Sequence, residues 1–267
     1  MTDKSLYRLL IHDFKYSLSY GKYKFLVFYG VIVILAILFS LQQKDLTGNS
    51  VTVIFSLLKD EGYFYQLSDY ILPFNWAFIQ ICTLFLISDY LFFDQENNKN
   101  YLLLRAHSKK NYITSKLIWI VIQNILIFTL LFFTIYLVSS LVTEDFSLNR
   151  SVYVNHSIVE SAISPGQLVL RLLTGYMITG IVLSSILLLA MQYLLPVLSF
   201  LSVVILCSLS TFLDTKWLPA IHSMILKQDI FNNEHHFTLT FSVIYSMVVY
   251  IIVSIITLNV FKRKEFL

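Results

Sequence analysis

The sequence predicts an all-α integral membrane protein with six transmembrane helices, and three observations support this prediction. Of the 267 residues, 57% are hydrophobic and only 13% are charged, whereas a soluble domain is roughly a quarter charged. Several long stretches contain no Asp, Glu, Lys or Arg. These stretches are apolar on all sides and do not alternate with a period of two, which favours helices over the strands of a membrane barrel.

The uncharged stretches place the individual spans. A helix that crosses the bilayer needs about 20 mostly apolar residues. The longest stretch, between Arg171 and Asp214, can hold two helices that divide near Pro196, because proline lacks an N–H and disfavours helix just before it. We therefore expect a single six-span domain over residues 25–267. Its predicted spans cover residues 25–43, 70–90, 114–142, 168–192, 195–213 and 238–261.

Lysine and arginine are unequally distributed among the connections, and this bias predicts the orientation. The N-terminal segment, the connection between spans two and three, and the C-terminal tail together hold thirteen of them, and the other three long connections hold six. We therefore expect a multi-pass plasma-membrane protein with both termini in the cytoplasm. The formal net charge of +3 follows from this bias, so nucleic acid is not expected as a partner.

The N-terminal segment, residues 1–24, is predicted to be a cytoplasmic amphipathic helix. Its apolar side chains recur every four residues, and its basic side chains fall on another face. The segment is either a simple anchor on anionic membrane lipid or an elbow helix that leads into the first span and contacts a cytoplasmic partner. The residues that define it are Leu6, Arg8, Leu10, Phe14 and Lys15.

The connection between spans two and three is longer, more polar and more basic than a simple turn requires. Asp94 and Glu96 follow the second span, an apolar row comes next, and basic residues precede the third span. This pattern predicts a short amphipathic helix over roughly 96–106, with Ser108 and Asn111 as turn or cap residues. An exposed apolar row needs a covering surface, which is either the inner end of this protein or a partner.

The same connection resembles that of permease subunits of type-2 ABC exporters. The acidic pair, the Leu-rich stretch Tyr101–Leu104, the basic turn Ser108–Lys110 and Lys116 correspond to features of that family, while Asn98–Asn100 replace its usual Gly-Thr. The resemblance implies a coupling helix that docks on an ATPase. The residues expected at this contact are Asp94, Glu96, Asn97, Asn98, Lys99, Tyr101, Leu102, Leu103, Arg105, Ser108 and Lys109.

The resemblance also implies the composition of a complex. Two permease chains, identical or related, would assemble with two copies of a separate ATPase subunit in an exporter of the peptide, bacteriocin or immunity kind. This chain has no G-x-x-x-x-G-K-[ST] motif. We therefore expect that the chain itself is not an enzyme and binds no cofactor, and that the partner ATPase binds ATP and Mg. Spans rich in Phe and Tyr favour a hydrophobic or amphipathic cargo, and a peptide is preferred over a lipid or drug.

Polar residues within the spans are either transport-path residues or simple interhelical hydrogen-bonding groups. His156 and His222 are expected at the surface, and no H-E-x-x-H motif indicates a metal site. A non-transporting scaffold or sensor subunit and an ATP-independent secondary carrier remain alternatives. An intramembrane protease is disfavoured because no histidine lies in a predicted span. The candidate path residues are Asn75, Gln80, Gln123 and Asn124.

Overall fold

The part of the chain that the computed structural model describes is helical, without strands. It comprises residues 2–44, 48–64, 70–98, 108–147, 163–213, 215–231 and 237–263. The α-helices are α1 (Thr2–Lys44), α2 (Ser50–Leu58), α3 (Phe74–Phe93), α4 (Lys109–Thr143), α5 (Pro165–Ala190), α6 (Pro196–Phe212) and α7 (Leu239–Arg263). A π-helical turn, Asp94–Asn98, continues α3, and two 3₁₀ turns, Pro219–Ser223 and Ile225–Lys227, lie between α6 and α7.

Five of these helices, α1, α3, α4, α5 and α7, are long and apolar enough to cross a membrane. This finding supports a multi-pass membrane protein. The helix at the fifth predicted span, α6, is also apolar but has 17 residues. At a rise of 1.5 Å per residue it measures about 26 Å, slightly less than the roughly 30 Å hydrocarbon core. Proline begins this helix at Pro196, as the sequence indicates.

The first helix is continuous across the predicted boundary between an elbow and the first span. It has 43 residues and measures about 65 Å, roughly twice the hydrocarbon thickness. No proline interrupts it, so the N-terminal segment extends the span directly and no break separates the two at residue 24. About half of α1 must therefore lie outside the hydrocarbon core if the helix crosses the membrane once.

The N-terminal half of α1 buries a face that is displaced by one residue, towards the N-terminus, from the predicted one. Leu9, Asp13, Ser17 and Gly21, spaced by four, are buried. The predicted apolar residues Leu6, Leu10 and Phe14 are half-buried, and Arg8 and Lys15 are exposed. The basic face is therefore accessible, while the side of α1 that meets the bundle carries a carboxylate as well as apolar groups.

The connections at the other end of the bundle are largely packed into it. The short helix α2 packs against α1, α4 and α5, and Tyr176 on α5 donates a hydrogen bond to the carbonyl oxygen of Leu58 at 2.7 Å. The first 3₁₀ turn lies so close to α5 that a Cβ at Gly175 would be 2.9 Å from the carbonyl oxygen of His222. Glycine permits this close backbone approach.

Candidate functional site

Three buried charged side chains meet where the beginning of α1, the end of α3 and the beginning of α4 come together. Asp13, Asp94 and Lys116 are each at most 2% exposed. The ammonium Nζ of Lys116 lies 2.7 Å from Oδ1 of Asp13 and 2.8 Å from Oδ2 of Asp94. One cation therefore bridges two carboxylates from different elements, and we call these three residues the ionic cluster.

Neutral hydroxyl groups complete the ionic cluster. Tyr90 and Ser115 donate hydrogen bonds to Asp13 at 2.9 and 2.7 Å, and Tyr112 donates to Oδ2 of Asp94 at 2.7 Å. Such donors are needed because buried charges are costly unless they are paired and hydrogen-bonded. Among the described residues none donates a hydrogen bond to Oδ1 of Asp94, although this atom is buried. The cluster thus retains one free acceptor.

Helical spacing explains how these side chains converge. Tyr90 and Asp94 are four residues apart at the end of α3, and Tyr112 and Lys116 are four residues apart at the beginning of α4. Residues at this spacing share one helix face. The spacing was a usable signal in the sequence, but it could not identify Asp13 as the third member, because Asp13 lies 103 residues before Lys116.

A second ion pair joins α1 and α3 next to the ionic cluster. Lys24 forms a salt bridge with Asp89, and their side chains are 39% and 20% exposed. Asp89 is an acidic residue at the predicted cytoplasmic end of a span, where basic residues are expected. Its pairing with Lys24 accounts for that exception and gives α1 and α3 a further contact.

The first residue predicted for the ATPase contact, Asp94, lies inside the bundle. It is 1% exposed, and its carboxylate is bound by Lys116 and Tyr112 of α4. Its neighbours Glu96 and Asn97 are exposed. An acidic residue at a helix end normally faces water, whereas here a lysine from the next helix stabilises it inside the bundle.

The other residues predicted for this contact lie in different environments or outside the described part of the chain. Ser108 is exposed and caps α4, since its hydroxyl accepts a hydrogen bond from the N–H of Asn111 at 3.1 Å; the cap prediction is confirmed. Lys109 is half-buried, and Asn98 ends the π-helical turn. The remaining residues and most of the predicted coupling helix lie outside the described part of the chain: Lys99, Tyr101, Leu102, Leu103 and Arg105.

Two of the four candidate path residues meet in the middle of the bundle. Gln80 and Asn124 line a void with Ser184, and the void has no room for a water molecule. The amide of Asn124 donates hydrogen bonds to the carbonyl oxygen of Ile120 at 2.9 Å and to Ser184 at 3.3 Å. This geometry is that of an interhelical contact.

The other two candidate path residues do not line this void. Gln123 is buried on α4, and Asn75 is half-buried near the beginning of α3. The structure therefore brings together Gln80 and Asn124 from the predicted set, and it leaves Gln123 and Asn75 in separate environments.

The opposite end of the bundle contains a different kind of buried charge. Asp60, just after α2, is 1% exposed, and its two oxygens accept hydrogen bonds from the N–H groups of Leu226 and Gly62 at 2.9 and 3.0 Å. Burial raises the pKa of Asp60, while the backbone N–H groups and the charge of Lys227 act in the other direction. Asp60 also lines a cavity of about 170 Å³.

His222, expected at the surface, is fully buried in the first 3₁₀ turn. Its ring packs against Phe237 and Tyr245, with ring centroids 5.2 and 4.5 Å apart. Burial lowers the pKa of His222 to about 4, so the imidazole is neutral at pH 7. Its burial depends on α5 and α7, which the local sequence around it does not reveal.

Comparisons of this chain with protein-family models, curated proteins and solved structures find no match. Within the described residues, no three His, Cys, Asp or Glu side chains are grouped so that they could hold a metal ion. The helices thus define the class as an all-helical membrane protein, and the ionic cluster is its most developed candidate site.

Proposed function

We propose that this chain is the membrane-spanning subunit of an ATP-driven ABC exporter, with ATP and Mg bound by a separate subunit. The observation that carries the proposal is the position of the ionic cluster. Asp94 lies at the beginning of the polar connection 94–116, and Lys116 lies at its end. The likeness of this connection to the coupling helix of type-2 exporters points to an ATPase as the partner.

The ionic cluster gives this connection a mechanical link to the bundle. Leaving a buried charge without its partner costs about 3–5 kcal/mol, so a displaced connection is expected to carry its anchoring helices with it. Because Lys116 binds both carboxylates, α1, α3 and α4 would move together. Rigid-body movement of packed helices is a common way to turn a local contact into a rearrangement.

Accessible polar groups surround the two ends of the connection. Glu96, Asn97, Ser108 and Lys110 are exposed, and they provide hydrogen-bonding and charged groups for a partner surface. On α7, Phe261 stacks on Tyr112 with ring centroids 5.6 Å apart. The last helix is therefore in contact with the same site, and the described residues of the predicted cytoplasmic end offer several contact points for an ATPase.

The transport path is proposed to lie between two permease chains. The mid-bundle void at Gln80 and Asn124 cannot hold water, so it is unsuited to conduct a cargo within one chain. Both α1 and α7 expose many large apolar side chains, which lipid or a second permease can cover. A hydrophobic or amphipathic peptide is the favoured cargo, exported across the plasma membrane with both termini of the permease in the cytoplasm.

The proposal is tested by solubilising the protein from its native membrane and identifying co-purifying chains by mass spectrometry. We expect a stoichiometric P-loop ATPase, and a second permease if the pair is heteromeric. The double variant Glu96→Lys/Arg105→Glu should lose the ATPase, because it reverses two charges of the predicted contact without changing the ionic cluster. Glu144→Lys, at the opposite end of the bundle, is the matched control and should retain it.

Two results would contradict the proposal. The first is purification of the wild-type chain without any nucleotide-binding partner, which would favour the scaffold or secondary-carrier alternatives. The second is equal recovery of the ATPase with the double variant and with wild type, which would remove the 94–116 connection from the interface.

A further inference from the structure

A cavity of about 170 Å³ opens between the segment after α2, the residues before α3, the end of α6 and the second 3₁₀ turn. Its lining includes Asp60, Glu61, Tyr63, Phe64, Tyr70 and Lys227, and we call it the outer pocket. We propose that the outer pocket binds one cationic group, an ammonium or guanidinium, on the side chain of a cationic peptide. This inference does not require an ATPase partner.

The volume of the outer pocket suits one chemical group of a larger ligand rather than a whole small molecule. Sites for free small molecules usually have volumes of about 300–1,000 Å³, and the outer pocket is smaller at about 170 Å³. It can take one side chain of a larger molecule that stays mostly outside the pocket. A peptide that presents a lysine or arginine side chain fits this requirement.

The charges at the outer pocket favour a cation. Asp60 and Lys227, each 1% exposed, offset one another inside it. Glu61 is exposed and forms no ion pair with any described residue, so it adds an accessible negative charge at the mouth. The connections predicted on this side of the membrane contain ten acidic and six basic residues, and such an excess raises the local concentration of cationic ligands.

The aromatic lining favours an ammonium or guanidinium with an apolar stem. The hydroxyl of Tyr70 is hydrogen-bonded with Thr211 at 2.8 Å, and the ring of Tyr70 packs against Phe64 and Phe212, with centroids 5.2 and 4.5 Å away. These contacts hold the rings in place before a ligand arrives, which lowers the entropy cost of binding. Aromatic faces attract cations, and they also bury the methylene stem of lysine.

The outer pocket already contains an example of this contact. The ammonium Nζ of Lys227 lies 5.3 Å from the ring centroid of Tyr63, whose hydroxyl donates a hydrogen bond to the carbonyl oxygen of Lys227 at 3.0 Å. That ring is therefore engaged with Lys227, while Phe64 and Tyr70 line the same cavity as Glu61 and provide apolar surface for the stem of a ligand cation.

The test measures peptide binding to the full-length chain in nanodiscs of neutral lipid, without an ATPase. The probe is a fluorescein-labelled amphipathic peptide containing lysine, and binding is followed by fluorescence anisotropy against empty nanodiscs. An exposed ion pair contributes up to about a fivefold change in affinity. We therefore expect Glu61→Gln to weaken binding about fivefold and Glu61→Lys about 25-fold, with smaller losses at high salt.

Matched variants and ligands make the result specific. Glu144→Gln and Glu144→Lys change the same charge at an exposed site of the same end, where Glu144 forms an ion pair with Lys44 at 3.1 Å, and both should bind the peptide like wild type. Replacing the lysines of the peptide with glutamine should abolish the effect of the Glu61 variants. Free butylammonium should compete only at far higher concentration than the peptide.

Three outcomes would overturn the inference. Unchanged affinity in both Glu61 variants removes the outer pocket from binding. Equal weakening in the Glu61 and Glu144 variants assigns binding to the general surface charge. Competition by butylammonium at the concentration of the peptide itself identifies a free amine as the ligand. None of these results depends on whether an ATPase co-purifies, so the proposed exporter function is judged separately.

Discussion

The two ends of the bundle hold their buried carboxylates in different ways. At the predicted cytoplasmic end, Asp13 and Asp94 are bound by side chains from other helices, above all by Lys116. At the opposite end, Asp60 is bound by backbone N–H groups of the connecting segments. All three carboxylates are 1% exposed, so burial alone does not distinguish them.

These two ways of binding a carboxylate suit the two ends of the bundle to different roles. A carboxylate bound by backbone N–H groups fixes a connection, and neighbouring side chains can change without removing its donors. A carboxylate bound by a lysine from another helix links two helices, and one side chain supplies the opposite charge of that link. The ionic cluster is therefore suited to transmit movement between helices, whereas the Asp60 site is suited to hold the shape of the outer pocket.

The largest expected effect comes from removing the shared cation. Lys116→Met leaves Asp13 and Asp94 buried without an opposite charge, so the free energy of unfolding should fall by about 3–5 kcal/mol. This free energy is measured by unfolding the protein with sodium dodecyl sulfate in mixed micelles. Lys110→Met removes an exposed lysine six residues earlier and should change the free energy of unfolding by less than about 0.5 kcal/mol. Similar values for the two variants would show that the ionic cluster does not hold the helices together.

A smaller effect is expected at the other end when the pH is lowered. The pKa of His222 is about 4 in the folded chain and about 6.5 when unfolded, so the unfolded chain binds more protons between these values. Stability should therefore fall as the pH drops from about 6.5 to 4, by about 3 kcal/mol in total. The variant His222→Phe should lose this part of the pH dependence in thermal unfolding measurements in detergent.

The environment of His222 defines what would contradict that prediction. Its ring packs against Phe237, Phe241 and Tyr245, and the ammonium Nζ of Lys216 lies 5.5 Å from the ring centroid of Phe241. None of these groups can stabilise a positive imidazolium as a carboxylate would. An identical pH profile for wild type and His222→Phe would mean that His222 does not titrate in this range.

A third effect on stability is expected between the two ends of the bundle, where α4 packs against α5. A Cβ at Gly180 would be 2.4 Å from Oδ1 of Asn124 and 2.6 Å from the ring of Phe128. Gly180→Ala should therefore destabilise the bundle by about 1–3 kcal/mol, measured by the same micelle titration. Gly30→Ala is the matched control, since nothing lies within 4 Å of its Cβ, and it should be neutral or stabilising by up to about 1 kcal/mol. Equal effects would rule out close packing at Gly180.

The smallest effect on stability is expected for the exposed carboxylates at the two ends. Glu96→Gln and Glu61→Gln should each change the free energy of unfolding by less than about 0.5 kcal/mol, because both side chains are exposed. Any loss of ATPase or peptide binding in these variants can then be assigned to the contact itself. A large loss of stability in either variant would mean that the residue supports the fold.

The helices were largely predictable from the sequence, because the exclusion of charge from a bilayer acts on each segment separately. The uncharged runs located the long helices, Pro196 marked the beginning of α6, and Ser108 marked that of α4. The predicted elbow helix over residues 1–24 and the first span form one continuous helix, since charges in that segment change which side of the helix faces water without interrupting its backbone hydrogen bonds.

The sequence by itself determined the membrane class, the positions of the helices and the exposed basic face of α1, because these depend on local composition and period. Only the tertiary structure decided that Asp13, Asp94 and Lys116 form one cluster, and that His222 and Lys227 are buried. The reason is physical: the burial of a charge or an imidazole depends on partners far away in the chain, and the same residue faces water wherever those partners are missing.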